Sequence, residues 1–130
     1  MQVAVYEAFV RRKNGNTLHF DILIPEERHS QEFAIRAGKE YLIYRGEEGR
    51  TLTPAECGFI HYEQISVGIE ALVMEKGYFA LPFSDIPAFL PARPVRKQLV
   101  EFVRAYRPEL RFKDLNEYSA DELRRLAENI

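Results

Sequence analysis

The sequence has no tryptophan and a single cysteine, and no apolar run in its 130 residues is long enough to span a bilayer. One cysteine excludes an intramolecular disulfide. With no signal peptide visible either, these absences describe a protein of the reducing cytoplasm with no membrane attachment. Excess charge is also missing. A formal net charge of −2 gives no electrostatic reason to bind nucleic acid, so nucleic acid is not an expected partner. There is no glycine-rich phosphate loop, no paired-cysteine metal motif, no internal repeat and no low-complexity tract. What remains is ordinary globular composition, 46% hydrophobic and 29% charged, in a length that can bury its own core without staples.

The most informative stretch is Leu52-Thr53-Pro54-Ala55-Glu56-Cys57-Gly58-Phe59-Ile60-His61-Tyr62-Glu63. Thr53 reads as a helix N-cap. Pro54 follows where its missing N–H costs nothing, and Glu56 completes a capping box. Gly58 fits the left-handed position that ends a helix, which predicts a single helical turn over 54–57. Residues 59–64 then read as a strand, with Phe59, His61 and Glu63 on one face and Ile60 and Tyr62 on the other. Cys57 beside His61 suggests either a nucleophilic thiolate or a metal ligand. At the C-terminal end of its turn, however, the partial negative charge disfavours a thiolate. The plainer reading is a small buried apolar residue.

Ahead of this stretch, residues 2–12 and 17–24 read as strands joined at Asn14-Gly15-Asn16, which tolerates positive φ. A two-residue turn would put Glu7 on the Phe20/Ile22 face. A three-residue turn over 14–16 pairs Val10 with Phe20, Ala8 with Ile22 and Tyr6 with Ile24, and keeps charge out of the core. It also gathers Glu7, Arg11, His19 and Asp21 on the opposite face. Ser30 caps a helix running to about residue 45, with Phe33, Ala34, Ala37, Tyr41 and Tyr44 at core spacing and His29 solvated before it. Ser66 caps a second helix over 67–76, ended by Gly77, with Ile69, Leu72 and Val73 as its stripe. Residues 78–81 are a last short strand. The expected fold is therefore α+β, β-β-α-β-α-β. It has two layers, a roughly four-stranded, mostly antiparallel or mixed sheet with its helices on one face.

Val3-Ala4-Val5-Tyr6, Leu18-His19-Phe20-Asp21-Ile22-Leu23-Ile24-Pro25, Gly38-Lys39-Glu40-Tyr41-Leu42, the stretch from Leu52 to Glu63, and Lys76-Gly77-Tyr78 together resemble the domain-of-unknown-function family 2024. The resemblance covers about residues 1–82. It implies a small prokaryotic protein with an α/β fold and supplies no catalytic assignment. Its recognisable pattern includes His19, Asp21, Cys57 and His61.

Residues 83–130 form an expected extension. Its first part is rich in proline, yet Phe83, Ile86, Phe89 and Leu90 make it too apolar for a free tether. It should lie along an apolar surface of the same domain or of a second copy. Two helices follow. The first, opened by Pro94, has Leu99, Phe102, Val103 and Tyr106 on its apolar side. Its basic residues Arg93, Arg96, Lys97, Arg104 and Arg107 read as a solvated face rather than a phosphate patch. The second opens on a capping box, Ser119 to Glu122, with Leu123 and Leu126 inward.

Alternation places His61 and Glu63 beside His19 and Asp21. Glu7, Arg11, His19, Asp21, His61 and Glu63 could then form one polar group with Cys57 at its rim. His19, Asp21, Cys57 and His61 are the catalytic candidates. His19, Cys57 and His61 are the metal candidates, and Glu7, Arg11 and Glu63 are further ligand-binding ones. Such a group could hold a metal through imidazole, carboxylate and thiolate, or do acid–base work with a histidine positioned by a carboxylate. It could equally be the solvated side of a sheet. Two functions follow: a non-enzymatic binding or protein-interaction module, with a homodimer through residues 83–130 as a possible assembly, or a metal- or thiol-dependent enzyme with a Cys/His/Asp site. The cofactor, if any, is left open by the sequence.

Overall fold

The computed structural model describes residues 1–128. Strand β1 (Gln2–Arg11) pairs antiparallel with β2 (Thr17–Pro25). Their turn is Lys13-Asn14-Gly15: the Gly15 N–H donates to the Arg12 carbonyl at 3.0 Å, and the Arg12 N–H to the Asn16 carbonyl at 2.7 Å. Gly15 takes a φ of 92°, a conformation that side-chain-bearing residues resist. The turn therefore sits one residue earlier than expected, and the pairs move by two. Val10 faces Leu18, Ala8 faces Phe20 and Tyr6 faces Ile22. A slip of two leaves every side chain on its expected face, so the faces hold while the register is corrected.

Ser30 Oγ accepts the Phe33 N–H at 3.0 Å and starts α1 (Gln31–Tyr44). Ala34, Ala37 and Leu42 of this helix pack on Tyr6, Ala8, Phe20 and Ile22 to form the main core. Tyr44, expected in that core, is the last helical residue and is 82% exposed. Residues 54–56 make a turn rather than a helix. Glu56 still caps it, with Oε1 accepting from the Thr53 N–H at 2.8 Å and from Thr53 Oγ1 at 3.0 Å. Strand β3 (Cys57–Gln64) begins at once and pairs antiparallel with β1. Helix α2 (Val67–Lys76) lies between the Ser66 cap and Gly77. Strand β4 (Phe79–Ile86) is longer than the expected short strand and pairs antiparallel with β2 along its length. It tolerates Pro82 because it is an edge strand, in the order β3-β1-β2-β4. Helices α3 (Arg96–Tyr106) and α4 (Ala120–Glu128) complete the chain.

The four-stranded antiparallel sheet and the order β-β-α-β-α-β are as expected, but the helices are not all on one face. Val73 and Ile69 of α2 pack on Val3, Val5 and Leu23, on the side of the sheet away from α1. Ala105 and Tyr106 of α3 pack on Phe9 and Ile86 of that same second side. The molecule has three layers. The reason lies in β1, whose odd positions Val3, Val5 and Phe9 are as apolar as its even ones. A sheet apolar on both faces has to be covered on both. Between the two covered ends lies the polar strip of Glu7, His19 and Asp21.

Both sides of α3 are used. Leu99, Phe102 and Val103 pack with Leu110, Leu115, Leu123 and Ala127, so the apolar stripe faces α4. Of its basic residues Arg104 is turned toward the sheet, whereas Arg93, Arg96 and Lys97 stay exposed and Arg107 reaches Glu109 and the Leu126 carbonyl. At the hairpin end, Arg12 ties three segments together. Its Nε donates to Glu47 Oε1 at 2.9 Å and its Nη1 to Asp85 Oδ2 at 2.7 Å. Glu47 Oε2 also accepts the Lys13 N–H at 3.2 Å.

Two predictions follow from this packing. Phe9 is 1% exposed only because α3 covers it. Phe9→Ala is expected to lower unfolding free energy by about 3–5 kcal/mol in urea titrations. A loss under about 1 kcal/mol, the scale of an exposed site, would mean that α3 does not cover this face in solution. The Arg12 hydrogen bond holds the Glu47 carboxyl below its ordinary pKa. A depressed folded-state pKa stabilises above the unfolded value and is lost as pH falls through the folded one. Wild type should thus be more stable than Glu47→Gln at pH 7, and the gap should close progressively as pH falls below the ordinary carboxylate range. A constant gap across that range would refute the ionic contribution.

Candidate functional site

The site is built by the β1–β2 ladder. Glu7 stands directly opposite Asp21, and Phe9 opposite His19. Two like charges in direct cross-strand opposition are unfavourable. On the other flank Glu7 faces Gly58, and the space above Gly58 is taken by the Phe112 ring, about 3.0 Å from where a Cβ would stand.

His19 is 4% exposed, and its ring is held between two aromatic rings. Phe9 stacks on it at 4.3 Å with planes 11° apart, and Phe83 lies tilted at 4.8 Å. This clamp aims Nε2 at the carboxylates, 2.7 Å from Glu7 Oε2 and 3.9 Å from Asp21 Oδ1. Nε2 is a buried nitrogen in close polar contact with Glu7 Oε2, an ion pair when the ring is protonated. Ser84, directly across the β2–β4 ladder from His19, carries in its Oγ a buried polar atom with no hydrogen-bond partner among the described residues.

Arg104 of α3 reaches across and donates from Nη2 to Glu7 Oε2 at 2.6 Å. Burial alone would raise the Glu7 pKa; His19 and Arg104 outweigh it and hold the carboxyl below its ordinary range. Asp21 has no such cation in direct contact. Burial first, then the Glu7 and Glu63 charges, push its pKa up to about 6, against the opposing pull of His19 and His61. A groove of about 370 Å³, lined by His19, Phe83, Lys97 and Arg104 among others, gives access from outside.

The ligand atoms of Glu7, His19 and Asp21 all lie within 4.8 Å of one another. Metal–ligand bonds of about 2.0–2.2 Å allow two ligands of one ion to stand at most about 4.4 Å apart. One imidazole with two carboxylates is a donor set for zinc, manganese or iron(II).

The other candidates fall elsewhere. His61 and Glu63 share the site's sheet face, paired opposite Val5 and Val3, but their side chains are 53% and 55% exposed and contact each other at 3.8 Å. Arg11 lies over the Tyr106 ring, 4.7 Å from its centroid, away from the cluster. Cys57 pairs with Ala8 and is fully buried in the α1 core, on the far face of the sheet from His19. The reason is a bulge. The β1–β3 register shifts between Val5 and Tyr6, so Phe59 stands opposite Tyr6 and His61 opposite Val5. Strict alternation is broken, and Cys57 and Phe59 join Tyr62 on the α1 side. Burial pushes the Cys57 thiol up to about 12. The shared Cys/His site is therefore corrected to a Glu/His/Asp one.

Two features escaped the sequence reading. Arg104 belonged to a helix face assigned to solvent. His29 is half-buried instead of solvated, between the Tyr6 hydroxyl at 2.8 Å and the Tyr62 hydroxyl at 3.1 Å, with Phe59 stacked on it. The clue to Arg104 was available: a helix whose apolar stripe is taken by a following helix must present its other side to the sheet.

The chain belongs to the family described as domain of unknown function (DUF2024), whose model matches residues 1–83. The NMR structure of protein NE1680 from Nitrosomonas europaea, a structural genomics target, is similar at 35% identity with a TM-score of 0.56. The match covers 62% of this chain and 92% of that one. No curated protein matches the chain. No helix among the described residues is long and apolar enough to cross a membrane.

The thiol gives a direct test of the placement. In native protein at pH 8, Cys57 should resist alkylation by iodoacetamide, and it should react fully once the chain is unfolded in guanidinium. Rapid labelling of the folded chain, followed by intact mass, would contradict its burial.

Proposed function

We propose that the protein is a small cytoplasmic binding module, not an enzyme, whose ligand is a divalent transition-metal ion held by Glu7, His19 and Asp21. The observation that carries this reading is the convergence of one imidazole and two carboxylates, their ligand atoms within 4.8 Å of one another and the His19 ring fixed between two aromatic rings. Glu7 and Asp21 repel each other across the ladder, a cost that a bound cation would remove. Imidazole with carboxylates is the donor chemistry of zinc, manganese and iron(II) sites, and no thiolate is needed. Arg104 contacts Glu7 through Oε2, which leaves Oε1 as the ligating oxygen.

Metal content by elemental mass spectrometry on tag-free full-length protein tests this. Near-stoichiometric metal is expected in wild type and in Cys57→Ala. His19→Ala and Asp21→Asn should lose it while keeping the wild-type circular dichroism spectrum. Metal-free wild type that also shows no saturable zinc uptake in calorimetry would remove the reading and leave Glu7 to its contacts with His19 and Arg104.

The groove reaching His19 favours a second reading, a metal-dependent enzyme acting on a small substrate there. It would be supported only by turnover that disappears with the metal. A homodimer through residues 83–130 draws support from Phe83, Phe89 and Val95, which are 60%, 85% and 61% exposed. A monomeric mass by sedimentation at all concentrations would end it.

A further inference from the structure

Phe9 is a partition. His19 lies against it in one groove, and a separate cavity of about 260 Å³ lies on the other side, lined by Arg11, Arg50, Arg111, Thr17, Thr51 and Tyr106 among others. Three arginines line this cavity, and none of them has a carboxylate within ion-pair distance among the described residues. Arg111 is 5% exposed, and it donates to main-chain carbonyls: Arg104 at 2.9 Å, Ala105 at 2.7 Å and Ala55 at 3.3 Å. Burial, with Arg104 and Arg11 nearby, pulls its pKa down from the usual guanidinium range against the opposing pull of Glu56. Arg50 Nε is buried with no hydrogen-bond partner. Arg11 lies over Tyr106 and is otherwise exposed. Glu56 is the acid in the lining, and its Oε1 already accepts from Thr53. Unmatched positive charge and an unused buried N–H donor are what an oxyanion would satisfy.

We propose that this cavity binds the phosphate group of a small metabolite. The planar guanidinium fork matches phosphate geometry, and three of them against one carboxylate favour a dianion over a monocarboxylate. Small-molecule pockets usually run from about 300 to 1,000 Å³, so this cavity suits inorganic phosphate or a short phosphorylated compound and not a nucleotide. The inference is independent of the metal reading, since it uses other residues on the other side of Phe9.

The test is isothermal titration calorimetry of metal-free full-length protein at constant ionic strength, with inorganic phosphate as probe and acetate as comparison. Saturable one-site phosphate binding is expected, at least about tenfold tighter than acetate, as loss of charge-assisted hydrogen bonds implies. Arg50→Gln and Arg11→Gln should each weaken it about tenfold or more, and Lys97→Gln, in the other groove, should leave it unchanged. Arg111 is not the variant of choice, because it clamps three carbonyls and its loss would disturb the fold. No saturable phosphate binding, equal binding of acetate, or full affinity in both arginine variants would overturn the proposal. Loss in Lys97→Gln alone would also overturn it, by placing the anion at the other groove.

Discussion

The contact between Arg104 and Glu7 fixes how the C-terminal part of the chain sits on the sheet. Glu7 lies midway along β1, on a face otherwise apolar at both ends, directly opposite another carboxylate. Left alone beneath a packed helix, that pair of acids would oppose docking. Arg104, 97 residues further on, brings a counter-charge to one of them. A part-buried ion pair of this kind is weak evidence for net stability, because desolvation offsets much of its attraction. Its stronger effect is on geometry. It selects one rotation of α3, and that rotation also lays Ala105 on Phe9 and closes the groove beside His19.

The same arrangement explains which parts of the fold the sequence disclosed. Local chemistry was legible. Ser30, Ser66 and Ser119 start helices as read, and Gly46 and Gly77 take positive φ where helices end. The faces of β1 and β2 were legible because alternation survives any even slip in register. The slip itself was not, because Asn14-Gly15-Asn16 offers more than one place for a left-handed residue. Thr53 and Glu56 make half of their capping box, the Glu56 carboxylate accepting from Thr53, around a turn that no helix follows, since residue 57 is already claimed by the ladder with β1. Capping chemistry marks where a helix may begin, and only tertiary pairing decides whether it does.

Half of the candidate site could be read in advance. Glu7, His19 and Asp21 come together because they depend only on the hairpin's faces. Cys57 does not join them because one bulged residue in β3 reverses the sense of alternation, and nothing in the composition of 57–63 marks that bulge. Arg104 and Arg111 were harder to place for a different reason. Their partners lie up to 97 residues away, and a basic side chain taken singly looks the same in sequence whether it meets water or a carboxylate. The helix distribution failed in the same way. Val3, Val5 and Phe9 were legible as apolar, but the consequence, a second covered face, required counting both sides of the strand.

The family match ends at residue 83, so α3 and α4 lie beyond the part of the chain that defines the family. Glu7, His19 and Asp21 belong to the matched part, whereas Arg104 comes from the extension. The arginine-lined cavity is divided likewise, with Arg11 and Arg50 from the domain and Ala105, Tyr106, Pro108 and Arg111 from the extension. Both spaces therefore exist in their present shape only while α3 is docked, and they share Phe9 as a wall. A ligand that needs the docked geometry stabilises docking by its own binding free energy. The extension is thus more than a cover for the sheet, because it supplies one wall of both the groove beside His19 and the arginine-lined cavity.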